Sequence, residues 1–300
     1  MKPMSTYAFM QVDAFTERPL AGNPCAIIFE ADQLNDELML SVAREMNLSE
    51  TAFVTQSNTC DFGVRFFTPA EEIPLAGHPT IATVHALIHS GRASLEGEKT
   101  ELTLELIGGP IHVKISTGQA KLPQIIMTQR KPAFLSTYDP AEIMPVFGLE
   151  EVDALVGYPI QTVSTGTPQL MVPIGGHEAL RRVRLDIPAY TRLRQRADFF
   201  SPHLFCLGGI TERGNTFARH FGVPPDTPED PFTGSATGGM GAYLWRYGLI
   251  DGPTFIAQQG HWMGRPGRAS VEVIGDRDAI KAVKVGGTAV TILSGELVLT

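Results

Sequence analysis

An α+β fold built from two copies of one plan is what the sequence predicts, and three observations carry that prediction. Pro74-Leu75-Ala76-Gly77-His78-Pro79-Thr80 and Pro231-Phe232-Thr233-Gly234-Ser235-Ala236-Thr237 both read Pro, apolar, small, Gly, polar, small, Thr. Each loop leads into a helical stretch that ends at a glycine eleven residues past the threonine, Gly91 in one case and Gly248 in the other. A strand pair follows each helix, at 102–115 and roughly at 254–273, and upstream Gly22-Asn23-Pro24 and Gly166-Thr167-Pro168 each precede an apolar run. The same features in the same order indicate an internal duplication. Strands followed by a single long helix, twice, suit mainly antiparallel sheet better than a parallel sheet with regular βαβ alternation.

The elements follow in order. Tyr7 to Phe15 is strand-like, and residues 25–29 form a second apolar run behind the Gly-Asn-Pro turn. Residues 35–46 read as a helix, because Asn35 can cap it, Asp36 and Glu37 favour its positive end, and Leu38, Val42 and Met46 recur every four residues. Residues 52–56 and 61–67 are strands around a polar turn, and Ile81 to Ser90 is a second helix stopped by Gly91. Residues 102–107 and 111–115 alternate around a Gly108-Gly109-Pro110 hairpin turn. Five prolines from Pro123 to Pro159 suggest that 120–160 holds a linker and the entry to the second unit. The units are then 1–125 and 126–300, and the closing segment 284–300 reads as two strands, Ala289–Leu293 and Glu296–Leu299. Either unit could receive them.

Composition narrows the class. The chain has 300 residues, 43% hydrophobic and 19% charged, with 30 glycines and 22 prolines, which is globular and turn-rich. Its net charge is −8 with no basic run beyond pairs such as Arg181-Arg182, so nucleic acid is not an expected partner. No run of 18 apolar residues is present, and the N-terminus lacks the apolar stretch of a secretory signal. Cys25, Cys60 and Cys206 share no metal spacing and cannot pair evenly, which fits reduced thiols in a cytoplasmic protein.

The two matched loops draw attention for their chemistry. Each opens a helix, whose first turn offers unpaired N–H groups and about half a positive charge. Gly77 and Gly234 remove the side chain where a ligand would meet the backbone. A pair of such loops suits a small carboxylate, although glycine there also serves a tight strand-to-helix turn. Proton-handling groups cluster nearby in sequence: His78 in the first loop, Glu229 and Asp230 just before the second, and Glu50 in Asn47-Leu48-Ser49-Glu50-Thr51. That last cluster could also simply cap a helix end. A carboxylate that shuttles a proton needs partial burial and a raised pKa.

At these residues the chain resembles the PhzF family of phenazine-biosynthesis-like isomerases, within the diaminopimelate epimerase-like fold. The matching segments are 12–24 (VDAFTERPLAGNP), 43–54 (AREMNLSETAFV), 65–80 (RFFTPAEEIPLAGHPT), 163–174 (VSTGTPQLMVPI), 229–238 (EDPFTGSATG) and 258–267 (QQGHWMGRPG). The resemblance implies two pseudo-symmetric domains, each a mainly antiparallel, barrel-like sheet around a central helix, with the site in the cleft between them. It implies that Glu50 is the acid/base, that His78 and Asp230 assist it, and that Gly77, Gly234 and Ser235 bind the substrate. It further implies proton transfer between carbons, as in isomerisation of trans-2,3-dihydro-3-hydroxyanthranilate, with no cofactor and no metal, and a homodimer.

Other readings remain in view. Related epimerases and racemases use two cysteines at the loop tips, where this chain has His78 and Ser235; that departure counts against racemisation. His85 and His89 stand four apart on the second helix, but no third metal ligand accompanies them. Gly238-Gly239-Met240-Gly241 lacks the context of a dinucleotide turn, and Ser235 follows Gly234 directly, unlike a nucleophile elbow. A hydrolase using Ser235, His78 and Asp230 is a further alternative, as is a metabolite-binding protein without catalysis.

Overall fold

The computed structural model describes residues 5–118 and 122–299. The start of the proline-bearing segment, residues 120 and 121, and the first four residues lie outside the described residues. Contacts divide the chain into two compact units: residues 1–128 with 225–227 and 286–300, and residues 129–224 with 228–285.

The first unit contains β1 (Ser5–Ala14), β2 (Asn23–Ile28), α1 (Asp36–Met46), β3 (Glu50–Thr55), β4 (Phe62–Phe67), β5 (Glu72–Ile73), α2 (Gly77–His89), β6 (Lys99–Glu105) and β7 (Ile111–Ser116). β8 (Gln124–Gln129) carries the chain into the second unit. There follow β9 (Ala133–Tyr138), α3 (Pro140–Ile143), β10 (Ile160–Ser164), β11 (Pro168–Pro173), α4 (His177–Arg182), α5 (Ile187–Arg194), β12 (Ser201–Leu207), β13 (Thr216–Phe221), β14 (Glu229–Asp230), α6 (Gly234–Arg246), β15 (Thr254–Gln259) and β16 (Gly267–Asp276). β17 (Ala279–Gly287) and β18 (Ala289–Leu299) close the chain. The described residues of the segment read as a linker and entry to the second unit thus include the strands β8 and β9 and the short helix α3.

The two units repeat one sheet order. In the first, β18, β1 and β2 pair antiparallel, β2 and β3 parallel, β3 and β4 antiparallel, β4 and β6 parallel, and β6 and β7 antiparallel. In the second, β9, β10 and β11 pair antiparallel, β11 and β12 parallel, β12 and β13 antiparallel, β13 and β15 parallel, and β15 and β16 antiparallel. The two-residue strands β5 and β14 sit on β4 and β13 in the same place.

Each unit surrounds one buried helix of 13 residues. Every residue of α2 from Gly77 to Leu87 is buried, as an α-helix apolar on all sides requires. The helix starts four residues before the sequence reading placed it, since Pro79 is harmless in a first turn whose N–H groups have no helical partner. The repeated threonines act alike, as Thr80 and Thr237 donate their hydroxyls to the carbonyls of Ala76 and Thr233, at 2.7 and 2.9 Å. The duplication extends to a pair that sequence reading missed. Arg65 donates twice to Glu72 (2.7 and 2.6 Å), and Arg219 donates twice to Glu229 (2.8 and 2.7 Å), at equivalent places.

The closing segment is one strand, not two. Ser294 and Gly295 continue the ladder opposite Met10 and Phe9, and the irregularity falls instead opposite Gln11 and Val12, where one residue is accommodated as a bulge. α1 is capped as expected, with the Leu38 N–H donating to Asn35 Oδ1 at 2.9 Å.

Candidate active site

Glu50 opens β3, shortly after the left-handed Asn47 that ends α1. It does not cap that helix; Asn47 closes it with its own N–H on the Ala43 carbonyl. The parallel pairing of β2 and β3 sets Glu50 beside Cys25. The Glu50 side chain is 18% exposed, and its Oε2 stands 3.4 Å from Nε2 of His78, which is buried. Asn23 donates from Nδ2 to His78 Nδ1 at 2.9 Å. Only a bare nitrogen can accept that bond, so the ring hydrogen sits on Nε2, facing the carboxylate. The turn that delivers Asn23 requires glycine: Gly22 has φ +60°, and a Cβ there would stand 2.1 Å from the Ala14 carbonyl oxygen. The Gly22-Asn23-Pro24 signal was visible in the sequence; the role of Asn23 as orienter of His78 was not.

Gly77 is the first residue of α2, with Ala76 as N-cap and no side-chain cap. Glu50, His78, Gly77 and Asn23 therefore form one group in the first unit, at an uncapped helix N-terminus beside a carboxylate–imidazole contact. Cys25 is also part of these surroundings. Burial, then the negative charge of Glu50, raises its thiol well above the ordinary cysteine value, so it remains a protonated neighbour and no nucleophile. Burial likewise pushes the Cys206 thiol up to about 12.

In the second unit, Asp230 ends β14 and is 8% exposed. Thr233, the N-cap of α6, turns its hydroxyl to Asp230 Oδ2 instead of to the helix. Gln259 ties the turn from both sides: its Nε2 donates to the Asp230 carbonyl at 2.7 Å, and its Oε1 accepts from the Thr233 N–H at 3.1 Å. Gly234 and Ser235 follow as the uncapped first turn of α6. Gln129 supports that turn by donating to the Gly234 carbonyl at 2.9 Å and accepting from the Thr165 hydroxyl at 2.6 Å.

The geometry sorts the other readings. A Ser/His/Asp triad needs an acid on the histidine's second nitrogen; His78 has the Asn23 amide there. His85 stacks on His89 with ring centroids 5.7 Å apart and contacts the Thr291 hydroxyl through Nε2 at 3.2 Å. The glycines of α6 serve close packing, since a Cβ on Gly239 would stand 2.8 Å from Met171 Cε and one on Gly241 2.8 Å from Val271 Cγ1.

The fold is a duplicated α+β frame, and a carboxylate and an imidazole meet at the start of its first central helix. The model of the phenazine biosynthesis-like family, PhzC-PhzF, matches residues 12–295, and the chain belongs to that family. It is 35% identical to an uncharacterised isomerase of Clostridium acetobutylicum, over 98% of each chain. It is 31% identical to the trans-2,3-dihydro-3-hydroxyanthranilate isomerase of Pseudomonas chlororaphis, over 97% of this chain and 99% of that one. Among solved structures it is similar to a PhzF-family protein of Bacillus anthracis, with a TM-score of 0.87 and 31% identity, covering 98% of this chain and all of that one. A hydroxyproline epimerase of Agrobacterium vitis, 12% identical with a TM-score of 0.68 over 98% of this chain and 93% of that one, shares the fold. The protein is an isomerase with this fold. No helix among the described residues is long and apolar enough to cross a membrane.

Proposed function

We propose that this isomerase moves a proton between two carbons of a small, conjugated carboxylate substrate, with Glu50 as the group that removes and returns it. The observation that carries the reading is the contact of Glu50 Oε2 with the Nε2–H of a buried, Asn23-oriented His78 at the open end of α2. A carboxylate with a neutral donor beside it can accept a proton from an acidified C–H and, as the carboxylic acid, deliver it to a second carbon of the same π system. His78 steadies whichever oxygen carries charge and can hydrogen-bond a substrate amine or hydroxyl. The N–H groups at the helix starts, including those of Gly77, Gly234 and Ser235, suit the substrate carboxylate. Asp230 is assigned to the same reaction as a partner for a substrate heteroatom. The likeness to the isomerase of Pseudomonas chlororaphis makes trans-2,3-dihydro-3-hydroxyanthranilate the first substrate to try. The protonated Cys25 counts against a two-thiol racemase.

The test is NMR of the protein with trans-2,3-dihydro-3-hydroxyanthranilate in D2O. Loss of the starting signals with deuterium entering one carbon, absent in Glu50→Gln, is the expected result. Unchanged exchange in Glu50→Gln would remove Glu50 from the role. No reaction in the wild type would remove this substrate, and a screen of other small amino and cyclic carboxylates for solvent exchange would follow.

A further inference from the structure

Behind Asp230 lies a row of side chains that the reaction scheme does not use. Cross-strand pairing sets Met171, His203, His220 and Asp230 side by side on β11, β12, β13 and β14, and directly opposed residues share a sheet face. α6 covers this face, with Gly239 against Met171 and Tyr243 edge-on to Phe205. His203 is fully buried and His220 nearly so.

The hydrogen bonds restrict where the hydrogens sit. Ser201 donates its hydroxyl to Gln169 Oε1 at 2.6 Å, so its oxygen accepts from His220 Nε2–H at 2.9 Å. A neutral His220 then has a bare Nδ1, and His203 donates to it from Nδ1 at 3.3 Å. His203 Nε2 is left as a bare, buried nitrogen with no hydrogen-bond partner among the described residues. Both nitrogens of His220 are thus occupied by β12, away from the carboxylate on its other side.

An imidazole next to a carboxylate ordinarily takes a proton and pairs with it. We propose that His220 is a positioning residue for Asp230: gripped by His203 and by the Ser201–Gln169 pair, it stays neutral and turned away, so that it does not draw the Asp230 carboxylate into an ion pair and away from substrate. The ionisable groups acting on His220 are Asp230 from β14 and His203 from β12; α6 carries no acid, and its one basic residue, Arg246, lies at its far end. Burial lowers the His220 pKa to about 4 against the pull of Asp230, and burial followed by the charge His220 would carry lowers that of His203. The geometry agrees with both directions. The equivalent of Ser201 in the first unit is Glu50, since Cys25 pairs with Glu50 as Gln169 pairs with Ser201. One copy thus keeps its carboxylate at that strand position, and the other fills the position with a grip on a histidine.

The inference rests on the assignment of Asp230 to the reaction, and the test separates the two. Imidazole Cε1–H signals are followed by NMR from pH 5 to 8 in wild type, in His203→Leu and in His220→Gln, the last identifying the His220 signal. The expected result is a His220 signal that does not titrate in wild type and does in His203→Leu, where Nδ1 is released to take a proton beside Asp230. A titrating wild-type signal, or a silent one in His203→Leu, overturns the proposal. Should His203→Leu fail to fold, Ser201→Ala releases Nε2 and carries the same expectation. In turnover, His203→Leu is expected to lower kcat about tenfold at pH 6, with KM within about twofold, and to recover as pH rises past the new titration. An unaltered kcat profile despite a titrating His220 also overturns the positioning role. If the wild type exchanges no substrate hydrogen at all, the reading of Asp230 falls, and the imidazole titration still decides whether His220 is held neutral.

Discussion

The two central helices occupy equivalent places in the two units and fill them in opposite ways. Ile81, Ala82 and Val84 of α2 correspond to Gly238, Gly239 and Gly241 of α6, counting from the matched Gly77 and Gly234. α2 supplies the packing volume itself. α6 leaves the volume to the sheet, whose Gln129, Met171 and Val271 reach the positions that side chains on the helix would take. The strand sites differ likewise: Glu50 in one unit corresponds to Ser201 in the other, and Ile73 to Asp230, by register. A duplicated frame therefore carries two different sets of polar groups, and the frame constrains the backbone more tightly than the chemistry placed on it.

That comparison can be broken at several points. The largest effect is expected at Glu50, where Glu50→Gln should lower turnover by about 10³-fold or more while the fold, read by circular dichroism, is unchanged. The helices come next. Ile81→Ala should cost about 2–5 kcal/mol in urea unfolding, because Ile81 is fully buried and a cavity remains. Gly238→Ala should also destabilise, by about 1–3 kcal/mol, for the opposite reason: the new Cβ would meet Gln129 Oε1 at 1.8 Å and displace the Gln129 bond to Gly234. Equal tolerance of alanine at both positions would contradict the packing contrast.

The repeated Arg–Glu pairs sharpen it further. Arg219 also donates to the carbonyls of Leu180 and Val183, whereas the extra partner of Arg65 is the exposed Asp36. Arg219→Leu should therefore destabilise by about 1–2 kcal/mol more than Arg65→Leu, measured as a difference in urea midpoint at constant slope.

A further effect is a pH slope. His85 and His220 are held near a pKa of about 4, chiefly by burial, with the His89 charge adding to the effect at His85. The unfolded chain then binds more protons than the folded one below about pH 6.5, so stability is full above that pH and falls toward pH 4. Each such imidazole contributes up to about 1.4 kcal/mol per pH unit in that window. In His220→Gln the slope should shrink by the share of one group, and an unchanged slope would mean that His220 already titrates normally.

The duplication, the strand and helix order and the turn glycines were legible in the sequence because they depend on local rules. A glycine is needed where φ is positive, an asparagine caps α1, and a motif recurs with its spacing. The repeated threonines could be seen, but not that each bonds the carbonyl four residues back. Other features follow from register between segments far apart in sequence, and only the tertiary structure decided them. The segment 289–299 is one strand because β1 offers a continuous ladder. Cys25 stands beside Glu50, and Asn23 orients His78, because β2 lies parallel to β3 and α2 starts next to them. The gripped His220 is likewise invisible in the sequence, where Gln169, Ser201, His203, His220 and Asp230 lie scattered without a shared motif. Spacing along a chain reports what a residue can do locally; which groups share a proton is set by strand pairing, which brings distant residues within hydrogen-bond reach.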